Sequence, residues 1–505
     1  MHTSRLFIAC IISLVATSFG FIVRAILLNE WGVLFNLTET QKGAIQGAGL
    51  FPFALSIILF SLIIDRVGYG RLMAFAWVLH MVSAVITMSA SSYTYLYLGT
   101  FLFALANGAV EAVINPAIAT MFPREKTHYL NILHAGWPGG LVLGGILAIS
   151  MSGLEGDHVW RYKIGLFLIP TLVYGFMLLG QKWPVQERVA ARVSYREMMQ
   201  EFGWGSCLIV AFFVAKGLDE VARNLFDFAL PTLLIGLLTI VPTLLLIFTV
   251  RSFGRPMFIF LLLVMLLLAT TELGTDSWIA SLMNPVLRAF GENAGSWVLV
   301  YTSFIMFVLR FFAGPIIHRI NPLGLLASCA AIAAVGLLWL AQSGAAALAV
   351  FLAATLYGVG KTYFWPTTLG VVSEQFPKGG ALTLNAIAGV GMLAVGVLGN
   401  PFLGVLQDKS LDDALKSQDL ALHGQLALPE EQKFLLTYQA LDKKKIEALD
   451  QENKGVVERV VAATNQSTLA KVALLPVIMF FCYLSLILYF RSKGGYQPVD
   501  LPAGS

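Results

Sequence analysis

Charge is what this 505-residue chain has little of: 12% of its residues are Asp, Glu, Lys or Arg, against 57% hydrophobic ones. Soluble domains carry roughly twice that charge. Together with a mean hydropathy of +0.77, this excludes a soluble globular fold and points to a chain that crosses a bilayer many times. Cysteine is scarce too. Cys10, Cys207, Cys329 and Cys482 all sit in apolar runs without CxxC spacing, so they read as small core hydrophobes and imply no metal or disulfide framework. No HExxH or GxSxG occurs. The GKT at 360–362 lacks the glycine that a phosphate loop needs five residues before Gly360, where Thr355 stands. These absences speak against an enzyme and imply no cofactor. The net charge of +4 comes without a basic nucleic-acid patch.

What the chain does have is a series of apolar runs of about 20 residues, the length a helix needs to span a bilayer. Six fall at 6–29, 42–64, 72–90, 95–120, 129–152 and 162–180, the first read as a span, not a removed signal. Five more fall at 257–282, 296–317, 323–342, 345–370 and 381–405, and a last one at 472–490. Between the two groups lie 207–225, which carries Lys216, Asp219, Glu220 and Arg223, and the fully apolar 228–250. If the two groups are equivalent, an even number of spans separates them. The expectation is therefore an all-α polytopic membrane protein with two six-helix halves and two extra helices, about 14 spans. The alternative is 12 spans plus a surface helix and a re-entrant hairpin. The domain boundaries follow: 1–181, a linker with extra helices at 182–255, 256–406, a hydrophilic segment at 407–470, a last span at 471–491 and a tail at 492–505.

Lys and Arg gather on one side of this arrangement, at Arg5, Arg66, Arg71, Arg124, Lys126, Arg188, Arg255, Arg319, Arg491 and others, while the opposite short loops hold a handful such as Lys42 and Arg161. The positive-inside rule then makes both termini cytoplasmic and places 407–470 outside.

Polar residues inside the spans are the functional candidates, because ionisable groups in hydrocarbon are costly unless they face a polar interior. Asn107, Glu111 and Asn115 are spaced by four in FLFALANGAVEAVINPAIATMFP (101–123). The chain nearly repeats itself at FLAATLYGVGKTYFWP (351–366), with Lys361 at the Glu111 position, Tyr357 at that of Asn107 and Trp365 at that of Asn115. Two further matches keep the spacing: IIDRVGYGR (63–71) with IIHRINPLG (316–324), and FPREKTHYLN (122–131) with FPKGGALTLN (376–385), which aligns Asn131 with Asn385. Duplicated halves of this kind mark a transporter with a central site between repeats. The expected cavity has an acid and amides on one wall, facing a base and aromatics on the other. Glu111 is the candidate proton-coupling group, with structural pairing as the alternative. Glu272 and Asp276, four apart in TELGTDSW, are a second proton or sodium site or the anchors of Arg310 and Arg24. Asn107, Asn115, Asn131, His134, Tyr357, Lys361, Trp365 and Asn385 are candidate substrate contacts. Asp65, Arg66 and Arg71 are a candidate conformational latch.

DRVGYGR (65–71) resembles the loop signature of the major facilitator superfamily, Asp-Arg-x-Gly-Arg/Lys, with Tyr69 and Gly70 displacing the second basic residue by two positions to Arg71. Gly108, Glu111, Asn115 and Pro116, with Leu130, Asn131 and Gly140, resemble the span 4 and span 5 patterns of the fucose:proton symporter family. That resemblance implies two six-helix halves and proton-coupled sugar uptake with the span 4 Glu in coupling and sugar binding. The chain departs from it by lacking an acid within its first span, where Arg24 stands, and by Lys361. The function expected is therefore a proton-coupled symporter importing a small polar, sugar-like solute, acting as a monomer in a bacterial inner membrane. Sodium is the alternative ion. Proton-driven efflux and a non-transporting sensor are the alternative functions.

Overall fold

The computed structural model describes residues 2–501 except positions 38, 152, 153, 155, 157, 227, 285, 288, 290–293 and 345. Among the described residues, twelve helices are long and apolar enough to cross a membrane. Six make the first half: Ser4–Leu28, Gln41–Val67, Tyr69–Met88, Tyr93–Met121, Lys126–Ser150 and Val159–Leu178. The others are Thr232–Thr249, Pro256–Ile279, Ala313–Gln342, Ala347–Gln375, Pro377–Gln418 and Gln451–Ser492. Ala294–Arg310 is apolar but shorter. The halves meet where Phe51–Val67 packs on Gly380–Ala394 and where Ala294–Arg310 packs on Gly136–Ser150. Small residues permit close approach in a bilayer. At Gly108 even a methyl group would lie 1.7 Å from the Ser56 hydroxyl.

The charged run at 207–225 lies in one helix, Tyr195–Phe226, which is not among the twelve. It bends at Gly203, whose φ of 70° and backbone contact with Gly254 leave no room for a side chain. Beyond that bend it runs about 33 Å, packed on Thr232–Thr249 and on Gly380–Ala394. Its buried Asp219 accepts from Lys216, Arg223 and the Leu230 N–H. Lys216 and Arg223 are thus gathered around one buried carboxylate.

The hydrophilic segment differs from an all-helical expectation. Asn400–Gln418 forms the last part of Pro377–Gln418 and is followed by Leu420–Leu426 and an antiparallel hairpin of Glu431–Lys433 with Leu436–Tyr438. Gln451–Val472 then returns to the last span. Leu415, Leu422, Leu426, Leu441, Val457 and Val460 give this segment its own small core.

Candidate functional site

The two repeated prolines shape the middle of the molecule. A proline within a helix cannot donate to the carbonyl four residues earlier, and a buried carbonyl needs a partner. Pro116 leaves the Ala112 carbonyl free, and Asn385 of the other half donates to it through Nδ2 at 3.0 Å. Pro366 likewise leaves the Thr362 carbonyl free, and Arg310 donates to it through Nε at 2.8 Å. The helix around Pro366 is interrupted between Lys361 and Phe364, whereas Tyr93–Met121 runs through Pro116 unbroken. Discontinuous spans of this kind are a recurrent way to build a midplane site.

Between the halves lies a small compartment lined by Glu111, His134, Trp137, Glu272, Leu273, Arg310, Trp365 and Met392, with about 20 Å³ of free space. That is room for roughly one water, so a larger solute enters only if the halves part here. Glu272 sits on a π-helical turn, Thr270–Gly274, and a second such turn, Val395–Gly399, packs against it. Such turns are rare and concentrate at functional sites.

The wall from the second half is charge-paired. Arg310 donates to Glu272 at 3.2 Å and to the His134 carbonyl of the first half at 2.6 Å. Lys361, fully buried at the end of its half-helix, pairs with Asp276, a position where the helix dipole also favours a cation. The wall from the first half is not. Glu111 is 5% exposed, and the hydrogen bond it accepts comes from the Asn115 amide at 3.3 Å; the other end of that amide meets His134 Nε2 at 2.9 Å. Among the described residues, two cations therefore stand among three carboxylates, and Glu111 is the one without a cation.

The facing walls expected from the repeat are thus corrected in three places. Lys361 turns to Asp276 of its own half and not to Glu111, because the helix break after it directs it to the neighbouring Thr275–Met283. Asn107 does not face Tyr357. Positions 107 and 115 are about 80° apart around a helix, so Asn107 points back into the first half, where its Oδ1 meets His80 Nε2 at 2.9 Å. Tyr357 donates to the Thr271 carbonyl at 2.6 Å. Arg24 bonds Ser83 at 2.9 Å and lies 4.0 Å over the Phe103 ring instead of anchoring Glu272 or Asp276. Glu111, His134, Glu272 and Trp365 do meet in one place, with Asn115 beside them. Asn131 donates across the halves to Thr367 at 3.2 Å. Trp137 and Met392 escaped the sequence reading, although Trp137 follows His134 by three residues and so shares its face.

At the end bearing both termini the halves are shut. Asp65 pairs with Arg188 of the linker, Lys126 with Glu187 at 2.6 Å, and Thr127 with Glu374 across the halves. Of the expected latch, Asp65 takes part, Arg66 lies over the Tyr195 ring at 5.9 Å, and Arg71 is exposed. Arg188, Lys126, Glu187 and Glu374 were not anticipated. At the opposite end a cavity of about 610 Å³ opens, lined by Arg24, Phe51, Thr100, Phe103, Trp278, Asn400 and others.

No curated protein matches the chain, but its fold has solved counterparts. The structure of the fucose:proton symporter in its outward conformation matches with a TM-score of 0.58 at 15% identity, covering 95% of this chain and 98% of that one. The E. coli fucose:proton symporter bearing an Asn-to-Ala substitution gives 0.58 at 14%, over 96% and 99%. The proton:xylose symporter bound to 6-bromo-6-deoxy-D-glucose gives 0.62 at 13%, over 96% and 95%. The human organic anion transporter MFSD10 gives 0.62 at 12%, over 96% and 100%. These likenesses show that the chain shares their fold. A family model described as the Major Facilitator Superfamily matches residues 6–400, and the chain belongs to that superfamily.

Proposed function

We propose that the chain is a proton-coupled symporter that imports a small polar, sugar-like solute by alternating access. The observation that carries this is Glu111: a buried carboxylate on the interhalf surface without a cation, beside two ion pairs that use up the cations of the other wall. A proton balances it, and a transporter that binds and releases that proton from alternate sides couples its motion to the proton gradient. Trp137 and Trp365 offer flat apolar faces to a sugar ring, while Asn115, His134 and Asn131 offer hydrogen bonds to hydroxyls. Glu272 and Asp276 act through Arg310 and Lys361, setting the charge of the opposite wall.

In this proposal both termini are cytoplasmic, the 610 Å³ cavity faces outside, and the Asp65, Lys126 and Glu374 contacts close the inner side. Ala294–Arg310 and Tyr195–Phe226 cross the membrane with the twelve, giving 14 spans and two equivalent halves. The protein works as a monomer in a bacterial inner membrane.

The experiment is transport in proteoliposomes, with solute chosen by a thermal-shift screen of sugars, nucleosides and organic acids. Glu111→Gln should abolish accumulation driven by a pH gradient while leaving solute counterflow. Accumulation that survives in the variant would overturn the coupling role.

A further inference from the structure

The tip of the external hairpin has properties that its own segment does not require. Lys433 pairs with Leu436, so Phe434 and Leu435 alone connect the strands. Both are left-handed, with φ of 50° and 64°. Two-residue connections of this geometry normally use Asn-Gly or Asp-Gly, because a bulky side chain is disfavoured there. Here the two positions hold large apolar residues instead. Leu435 is 93% exposed and Phe434 41% exposed, and neither belongs to the small core of the segment. The strained tip adds nothing to that core, and Leu435 in particular is left presenting apolar surface outward.

Its depth follows from one contact. The Phe434 ring meets that of Phe402 edge to face at 5.7 Å. Phe402 lies 22 positions beyond Gly380, where the helix Gly380–Ala394 of the Pro377–Gln418 span begins, next to Lys378. A helix rises about 33 Å over that distance, close to the roughly 30 Å of a hydrocarbon core. Phe402 therefore sits at the boundary of the leaflet opposite the termini. Strand Leu436–Tyr438 packs along the Asn400–Gln418 helix, so the hairpin runs back down that helix towards the membrane. Behind the tip, Lys433 and Tyr438 both bind Glu431, at 2.7 and 3.2 Å, a polar group at the level expected of headgroups.

We propose that Phe434 and Leu435 insert into the headgroup–acyl boundary of that leaflet and that the hairpin anchors the external segment to the bilayer. The occupant is lipid rather than protein, because the tip is held at the depth of the membrane surface that the Pro377–Gln418 span already meets. This does not rest on the transport proposal.

The test is a nitroxide at Leu435→Cys in nanodiscs holding one protein each, with the native cysteines replaced. The control is a nitroxide at Glu452→Cys. Glu452 is exposed and lies 20 positions before Val472, about 30 Å above the membrane along its helix. The expected result is a several-fold higher ratio of oxygen to nickel-chelate accessibility at 435 than at 452. Equal, water-like ratios would overturn the proposal. Protection seen in crowded vesicles but lost in single-copy discs would overturn it in favour of a second copy of the chain.

Discussion

The two walls of the central compartment are built from repeated sequence yet handle charge in opposite ways. The second half presents Glu272–Arg310, buried on both sides, and Asp276–Lys361, in which Lys361 is fully buried and Asp276 partly so. The first half presents Glu111, whose partner is an amide. A paired wall is fixed: its charges hold each other, and Lys361 sits where its helix ends. In the proposed mechanism the unpaired carboxylate is the movable part, balanced by a proton from outside the protein. On that proposal the repeat divides the labour, one half supplying rigidity and the other the titratable group.

The largest expected effect tests the rigid wall. Removing one member of a buried ion pair leaves an uncompensated charge and costs about 3–5 kcal/mol, whereas replacing both by apolar groups is often neutral. Lys361→Ala should therefore strongly destabilise the protein in denaturant titrations in micelles, and Lys361→Met with Asp276→Leu should recover most of that loss. If the single substitution is as mild as the double, the pair does not hold the wall.

The next effect contrasts the two carboxylates directly. Glu272→Gln keeps an acceptor for Arg310 but leaves a buried guanidinium short of its counter-charge, a loss at the low end of the same range, about 3 kcal/mol. Glu111→Gln removes a charge that no cation faces and keeps a polar group opposite Asn115, so stability should change by less than about 1 kcal/mol. Equal destabilisation by both would erase the distinction between the walls.

Much of this was legible in the sequence because the bilayer imposes long apolar helices with few exceptions. The spans, the duplication and Glu111 follow from hydropathy, spacing and the cost of a buried charge. The partners were not legible. Which carboxylate Lys361 meets depends on a helix break and on the direction each half-helix takes. Asn107 left the expected face through the 40° that accumulates over every four residues. The π-helical turn at Glu272 has no sequence signature, and the closure at the terminal end recruits Arg188 and Glu187 from a linker whose docking is tertiary. The hairpin went unread because Phe434 and Leu435 are not turn residues.

The smallest effect comes from the hydrophilic segment, where the exposed Asp450 serves as the reference for the buried walls. Asp450 is the N-cap of Gln451–Val472, its side chain accepting from the Asn453 N–H at 2.8 Å. That backbone hydrogen bond, helped by the Asn453 amide, holds the Asp450 carboxyl below the usual range. Because the folded value is depressed, the stabilisation is full above the unfolded carboxylate value of about 3.9 and is lost as pH falls through the lower, folded one. Amide exchange of residues 451–454, corrected for intrinsic rate, should therefore accelerate on acidification to the acid side of that window, and Asp450→Ala should show the faster exchange already at neutral pH. The rest of the molecule should not respond, since Asp450 is exposed and its cap is local. If acid instead loosened the central compartment through this cap, the external segment and the walls would be mechanically coupled, and the division of labour would extend beyond the two halves.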